Sequence, residues 1–508
     1  MVDRGLGAAL VVGHATRQVR ASQPEKETGL VKAMRLETTR LVASVALASA
    51  AFGCGSAAPG PTRPVATEIA PDPATTVSST ATAPPPRRAP SPSAASSTPT
   101  ILVDDPSRIE TVPELAHFYR SLRALGAGSL GRNVRVLWLG DSHGQADFWS
   151  GRVRKALAER FGAAGPGFVH LGYKNYRHDG LKLEIRGKWR MRPKHPVGVK
   201  RDGDGVFGLG GLMMSGYADA PRAALVLSEP YPADKLSFDV CYRLKEPNDA
   251  VVIQGGDLAK TEIRATKAEP AGVVRHVSVQ ALASEPFVVD PIGHTDLCGV
   301  VVETDPATHP GVVLDTLAIN GARYATALAW DEDAWVTEAT RRTPDLVVLE
   351  LGTNEAGDAN PAYEGTARRV GELLARARRA NPDVDCVVVS NTDRADAEDQ
   401  TARMHDALQG AASKSGCMYF DAWQTLGGKG AMAKLREMPE PKVQKDGIHL
   451  TIKGYRELGA AMFDALMKGY AGKTASPEPK TPSPSSVPAA QGEESSTGTP
   501  MARATPSR

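Results

Sequence analysis

Between about Ile109 and Tyr470 the apolar and polar positions fall into two alternating textures. In one, a short apolar run is followed by a segment with helical spacing. NVRVLWLG (133–140) leads to FWSGRVRKALAERFG, VVLDTLAI (312–319) to GARYATALAWDEDAWVTEATRR, and DLVVLELG (345–352) to a helix over roughly Tyr363 to Ala380. DCVVVSN (385–391) precedes a helix around Thr401 to Lys414, and CMYFDAW (417–423) precedes a last one over Gly454 to Tyr470. Strands alternating with amphipathic helices predict an α/β unit with a parallel sheet covered on both faces. Functional groups in such sheets gather where loops leave the carboxyl ends of the strands.

The second texture fills about Tyr173 to His309. LKLEIRGKW, AALVLSEPY, KLSFDVCYRL, DAVVIQGG, VVRHVSVQAL and LCGVVVET are short β-type runs broken by Gly, Pro, Asp and Asn. In KLSFDVCY, Leu236, Phe238, Val240 and Tyr242 point one way, and Ser237, Asp239 and Cys241 the other. The pattern predicts a β-sandwich over 173–309, inserted after the first strand of an α/β unit spanning 106–172 and 310–472. The simpler reading is a β-hairpin extension.

The ends read differently. From Met34 the sequence MRLETTRLVASVALASAAFGC has a basic start, an apolar run from Leu41 to Phe52, and small residues leading to Cys54. This is the shape of an export signal, too short for a stable membrane span. It resembles a bacterial lipoprotein signal, which implies lipid on Cys54 and a membrane anchor, with the outer membrane favoured because no aspartate follows Cys54. Ala51 stands where leucine is usual, and cleavage within ALASA would instead release a soluble secreted chain. Residues 1–33 lack such a pattern and fit a start codon set too early. Residues 55–105 form a linker, with eleven prolines among 55–100, and 473–508 is similar in composition. Such segments bury too little surface to fold, and the linker could reach on the order of 100 Å.

A net charge of +2 over 508 residues, without a basic stripe interleaved with aromatics, gives no basis for nucleic-acid binding. With Cys54 set aside, four cysteines allow three pairings. Cys241 with Cys298 is favoured, both lying in the β-rich region, and Cys386 and Cys417 read equally well as buried thiols or a bridge. No metal site is expected, since histidines lack ligand spacing and no Cys-x-x-Cys pair occurs. FGLGG (207–211) lacks the Lys-Ser/Thr of a phosphate loop. No cofactor is implied.

Four short stretches carry the candidate chemistry. Ser142 follows the first strand in GDSHGQADF, Gly321 follows the second in INGARYATAL, Asn354 follows the third in ELGTNEAG, and Asp446 and His449 precede the last helix in KDGIHLTIKGY. Acyl transfer needs this set: a serine nucleophile, a histidine base, and an acid to hold the imidazole tautomer. It also needs donors for the oxyanion, which the backbone N–H groups of Ser142 and Gly321 and the Asn354 amide would supply. Singly, each stretch reads as a turn, a loop or a helix cap. In order, each at a strand end or helix start, they predict catalysis.

These stretches resemble the four sequence blocks of the SGNH hydrolases, or GDSL-type esterases, over about residues 115 to 470. The resemblance implies a flavodoxin-like three-layer fold, with Ser142, Asp446 and His449 as catalytic residues and Ser142, Gly321 and Asn354 as the oxyanion hole. His143 replaces the usual Leu, and Glu355 the usual Asp. Both occur in a subgroup similar to bacterial cell-wall O-acetylesterases, which makes His143 and Glu355 candidate substrate-binding residues. It implies an inserted carbohydrate-binding sandwich, an acetylated glycan substrate, peptidoglycan above others, and a monomer. His143 lines a pocket or packs beside the strand end. Tyr176 and Trp189, in YKNYRHDGLKLEIRGKWR, stack on sugar or belong to the sandwich core. Transfer to a sugar, other acyl esters, and a non-catalytic glycan-binding lipoprotein remain the competing readings.

Overall fold

In the computed structural model, which describes residues 112–267 and 270–470, the apolar runs pair into two sheets. The export signal with Cys54, the proline-rich linker and the tail lie outside the described residues. Chain order gives strands β1 (Val134–Gly140), β2 (Gly167–Val169), β3 (Leu181–Arg192), β4 (Met213–Leu227), β5 (Lys235–Arg243), β6 (Ala250–Gly255) and β7 (Leu258–Arg264). They continue with β8 (Val274–Leu282), β9 (Phe287–Ile292), β10 (Asp296–Glu303), β11 (Val312–Thr316), β12 (Leu346–Glu350), β13 (Asp385–Val389) and β14 (Met418–Phe420). The helices are α1 (Ala116–Gly126), α2 (Ser142–Gln145), α3 (Trp149–Phe161), α4 (Tyr324–Leu328), α5 (Glu332–Arg342) and α6 (Thr353–Ala356). After them come α7 (Tyr363–Ala380), α8 (Glu398–Ser415), α9 (Ala422–Leu426), α10 (Ala431–Arg436) and α11 (Ile452–Met467).

The parallel sheet has the order β11-β1-β12-β13-β14, so its strands, counted along the chain, stand 2-1-3-4-5. Its interior strands read as apolar runs because both faces are buried. Along β1, Leu137 and Leu139 join the core beneath α5, α7 and α8, while Val136 and Trp138 join the core beneath α1, α3 and α11. Full burial of such side chains is worth roughly 1.5–3 kcal/mol each. The stretch expected as one helix after β11 forms two, because Asp331 breaks it and accepts from Ala334 N at 2.9 Å to start α5. β11 itself stops at Thr316. Leu317 and Ile319 still donate to Trp138 O and Gly140 O, and so carry Gly321 along β1 toward Ser142.

The other nine strands form an antiparallel sheet. It starts at Gly167, ahead of the expected 173, because Gly167–Val169 pairs with Val300–Val302 of β10. β4 runs through both of its halves: Met214 pairs with Leu297 of β10, and Leu225 with Phe287 of β9. Phe287 then stacks on Phe238 of β5, three strands away in the sheet order, with ring centroids 4.0 Å apart. The sheet therefore folds over on itself around a shared core. The chain enters and leaves it side by side, since Ala163 bridges to Val312 and Thr304 N donates to Ala164 O at 3.0 Å.

Two charged clusters tie the antiparallel sheet to the parallel half. Arg135 of β1 and Arg342 of α5 converge on Glu303 at the end of β10, and Arg342 also pairs with Asp315 of β11 at 2.9 Å. Burial raises the Glu303 pKa, but the two guanidinium groups outweigh it and leave the carboxyl at about 2. In the second, His276 of β8 lies 3.0 Å from Glu338 of α5 and 3.2 Å from Asp239. Cys241 and Cys298 are bridged across β5 and β10, as expected, and Cys386 and Cys417 are also bridged. Among the described residues, no helix is long and apolar enough to cross a membrane.

Candidate active site

β1 ends in a tight turn at Gly140, where Asp141 caps α2 by accepting the His143 N–H at 3.0 Å. Ser142 is the first residue of that helix, at the carboxyl rim of the parallel sheet. The loop before α11 returns to the same rim. Val443 bridges to Leu450, Gln444 N donates to His449 O at 2.8 Å, and Gly447 turns at φ +70°. Ser142 Oγ and His449 Nε2 are 2.8 Å apart, although 307 residues separate them in sequence.

Asp446 organises the histidine. One of its oxygens accepts the N–H groups of Ile448 (2.9 Å) and His449 (3.0 Å), and the other faces His449 Nδ1 at 2.7 Å. Because an ionised carboxylate only accepts, Nδ1 carries the hydrogen and Nε2 is left to take one from Ser142. Burial pushes the Asp446 pKa up, but the backbone N–H and the imidazole of His449 outweigh it and hold the carboxyl below its ordinary value.

The donors for an oxyanion are unequal. The N–H groups of Ser142 and Gly321 have no acceptor in the network of the described residues, and Gly321 sits at φ +81°, where a side chain is strained. Asn354 reaches the same rim, but its amide nitrogen donates to Asp141 Oδ2 and to Ala322 O, each at 3.1 Å. Both amide hydrogens are thus engaged, and one must leave Ala322 O to meet an oxyanion. Ser142, Gly321, Asn354 and His449 line one open cleft of about 660 Å³.

His143 and Glu355 stand elsewhere. His143 is fully buried, with Nε2 3.2 Å from Thr392 Oγ1 and Nδ1 3.0 Å from the Tyr455 hydroxyl. Its ring packs 5.3 Å behind that of His449, and burial lowers its pKa to about 3, so it is a neutral backing wall and not a cleft residue. Glu355 turns inward and accepts the Tyr324 N–H at 2.8 Å at the start of α4, and burial pushes it up to about 7. It borders a neighbouring cavity instead. The two aromatic residues proposed for stacking are also occupied. Tyr176 is buried with its hydroxyl on Phe168 O, and Trp189 packs partly buried against the core.

The alternate residues of that stretch were missed. Asn175 and Arg177 line the cleft, and the Arg177 guanidinium lies 3.9 Å from the centroid of Phe148, a third unforeseen lining residue. The signal was the exposure alternation in KNYRH, where polar residues flank buried rings. Glu350 at the end of β12 was missed too. Its carboxyl is buried beside Asp141, in space that Gly140 and Gly144 leave open. Cys241, His276 and Glu338 lie close enough to suggest metal ligands, but Cys241 is in a disulfide and His276 is held by carboxylates on both sides.

Residues 300–457 match the family model of the GDSL-like lipase/acylhydrolases. Comparison with curated proteins finds no match. Among solved structures, a peptidoglycan O-acetylesterase is similar at 21% identity with a TM-score of 0.58, over 69% of this chain and 95% of the other. A lipase/acylhydrolase from Enterococcus faecalis matches at 17% identity over 31% and 77% of the two chains, with a TM-score of 0.25. A family two carbohydrate esterase from Clostridium thermocellum, solved with cellohexaose, matches at 10% identity over 56% and 98%, also at 0.25.

Proposed function

We propose that this chain, a hydrolase with a GDSL-like lipase/acylhydrolase domain, is a serine esterase that removes O-acetyl groups from a carbohydrate, peptidoglycan first among candidates. The observation that carries the reading is the unbroken relay from Ser142 Oγ through His449 to Asp446, with contacts of 2.8 and 2.7 Å. As Ser142 Oγ adds to the acetyl carbonyl, His449 Nε2 takes its proton and Asp446 stabilises the imidazolium. The oxyanion meets the N–H groups of Ser142 and Gly321, and the Asn354 amide swings from Ala322 O to join them. Each such donor is worth about 3–4 kcal/mol of barrier. Collapse passes the histidine proton to the departing sugar oxygen and leaves acetyl-Ser142. Water, deprotonated by His449, then adds to that ester and releases acetate.

Similarity to a peptidoglycan O-acetylesterase supports the glycan substrate, and the open cleft with Arg177 and Asn175 at its wall suits a polar polymer. The 2-1-3-4-5 strand order supports a flavodoxin-like layering. Two disulfides fit an exported protein, and we extend the reading to a lipid anchor at Cys54 that holds the enzyme in the cell envelope. Acetate release from acetylated peptidoglycan, acetylated xylan and a short-chain lipid ester, measured side by side, tests the substrate. Equal rates on all three would defeat the cell-wall assignment. If Cys54→Ala leaves the protein on the membrane, the anchor is wrong.

A further inference from the structure

The reaction as derived leaves one pair of buried acids unused. Asp141 and Glu350 are 0 % and 3 % exposed, and Asp141 directly follows Gly140, which pairs with Glu350 across β1 and β12 and brings Glu350 Oε2 to 3.3 Å from Asp141 N. Among the described residues, neither has an ion-pair partner. The Asp141 carboxylate collects two N–H donors, the backbone of His143 at 3.0 Å and the Asn354 amide at 3.1 Å. Glu350 Oε2 accepts longer bonds, from Asp141 N at 3.3 Å and Trp138 Nε1 at 3.4 Å. Two carboxylates cannot both stay charged in one dry site, and the better-donated one keeps the charge. That leaves Asp141 as the anion and Glu350 as the acid.

We propose that Glu350 is a positioning residue for the reaction: as a neutral acid it donates a hydrogen bond to Asp141, fixing the carboxylate that aligns the Asn354 amide with the oxyanion formed at Ser142. One Asn354 hydrogen stays on Asp141 while the other exchanges Ala322 O for the oxyanion, the stronger acceptor because it is charged. The glycines make room for this arrangement. A Cβ at Gly140 or at Gly144 would collide with Glu350 Oε2. Burial first, and then the neighbouring Asp141 charge, push Glu350 well above the ordinary carboxyl range, while burial lifts Asp141 only to about 6. The other titratable groups facing the pair are His143, His449, Arg394, Glu355, Tyr324 and Tyr455. The inference rests on the serine-esterase reading for its kinetic consequence, but not for the proton it places.

Two measurements on the full chain test it. The infrared difference spectrum of wild type against Glu350→Gln at pH 7 should show the carbonyl stretch of a neutral carboxylic acid. With p-nitrophenyl acetate, Glu350→Gln, which keeps a neutral donor, should hold kcat within about threefold of wild type. Glu350→Leu should lose roughly 30-fold in kcat with KM little changed. The proposal is overturned if the infrared band is missing, if the Gln variant falls as far as Leu, or if Leu keeps the wild-type kcat. Should the Leu variant not fold, the band and the Gln variant decide alone. Ser142→Ala serves as the control: activity equal to wild type there sinks the esterase reading, whereas its loss beside an unaffected Glu350→Leu sinks only the positioning role.

Discussion

In the proposed reaction Ser142, His449 and Asp446 divide one task, so their removal should not be additive. Ser142→Ala and His449→Ala should each lower kcat for p-nitrophenyl acetate by at least about 1,000-fold. Asp446→Asn should cost on the order of 10³-fold, because the amide no longer fixes the tautomer with Nε2 bare. A rate for Ser142→Ala equal to wild type would remove the nucleophile from the argument. Gly321→Ala should slow turnover about tenfold, since φ +81° strains any side chain, even though the new methyl would meet Val197 only at ordinary contact distance. These positions were legible because a serine at a strand end and an Asp-x-x-His just before the last helix are distinctive in the sequence. Glu350 was not, because an acid closing an apolar run looks like the edge of a strand. For His143 and Glu355 the sequence suggested a ligand contact, as a polar residue beside such a motif does, whereas burial sets His143 behind His449 and Glu355 at the border of a neighbouring cavity.

Short elements were harder to read than long ones. The alternation of apolar runs and helical spacing located every strand of the parallel sheet, since buried strands leave few polar positions to confuse the pattern. It did not divide α4 from α5, where the cap at Asp331 competes with a continuous helical rhythm. Asp331→Ala should therefore lower stability by about 1 kcal/mol through loss of the Ala334 N–H partner. Thermal denaturation would register it as a drop in Tm with kcat unchanged. The segment Leu317–Ile319 shows a different limit. Its residues look like strand and follow β1, yet their value is to deliver Gly321 to the rim, a purpose that periodicity does not encode.

At the scale of the molecule, the antiparallel sheet was foreseen as a region but not as a folded-over sheet with β4 in both halves. Pairing across 80 residues leaves no local trace. The His276 cluster, which joins it to α5, makes stability depend on pH. Burial lowers the His276 pKa, but Asp239 and Glu338 outweigh it and raise it to about 9. A raised pKa means the contribution is complete below the unfolded value near 6.5 and disappears as pH climbs through about 9. The loss should be on the order of 3 kcal/mol at most, read as a fall in Tm between pH 6.5 and 9.5 that is absent in His276→Gln. Reduction of the two disulfides, whose sequence separations are 57 and 31, should cost roughly 3–4 kcal/mol each. Calorimetry with and without reductant measures that cost, and an unchanged Tm would show the bridges to be dispensable.

The adjoining entry and exit of the folded-over sheet have a consequence for how such a protein can change. Because Ala163 and Val312 already touch, a graft between them would close the gap with hardly any added chain, although Arg135 and Arg342 would lose Glu303 as a partner. Asn175 and Arg177 would leave with the excised piece, so the part traded in such an exchange is one wall of the cleft, while Ser142, Asp446 and His449 stay behind.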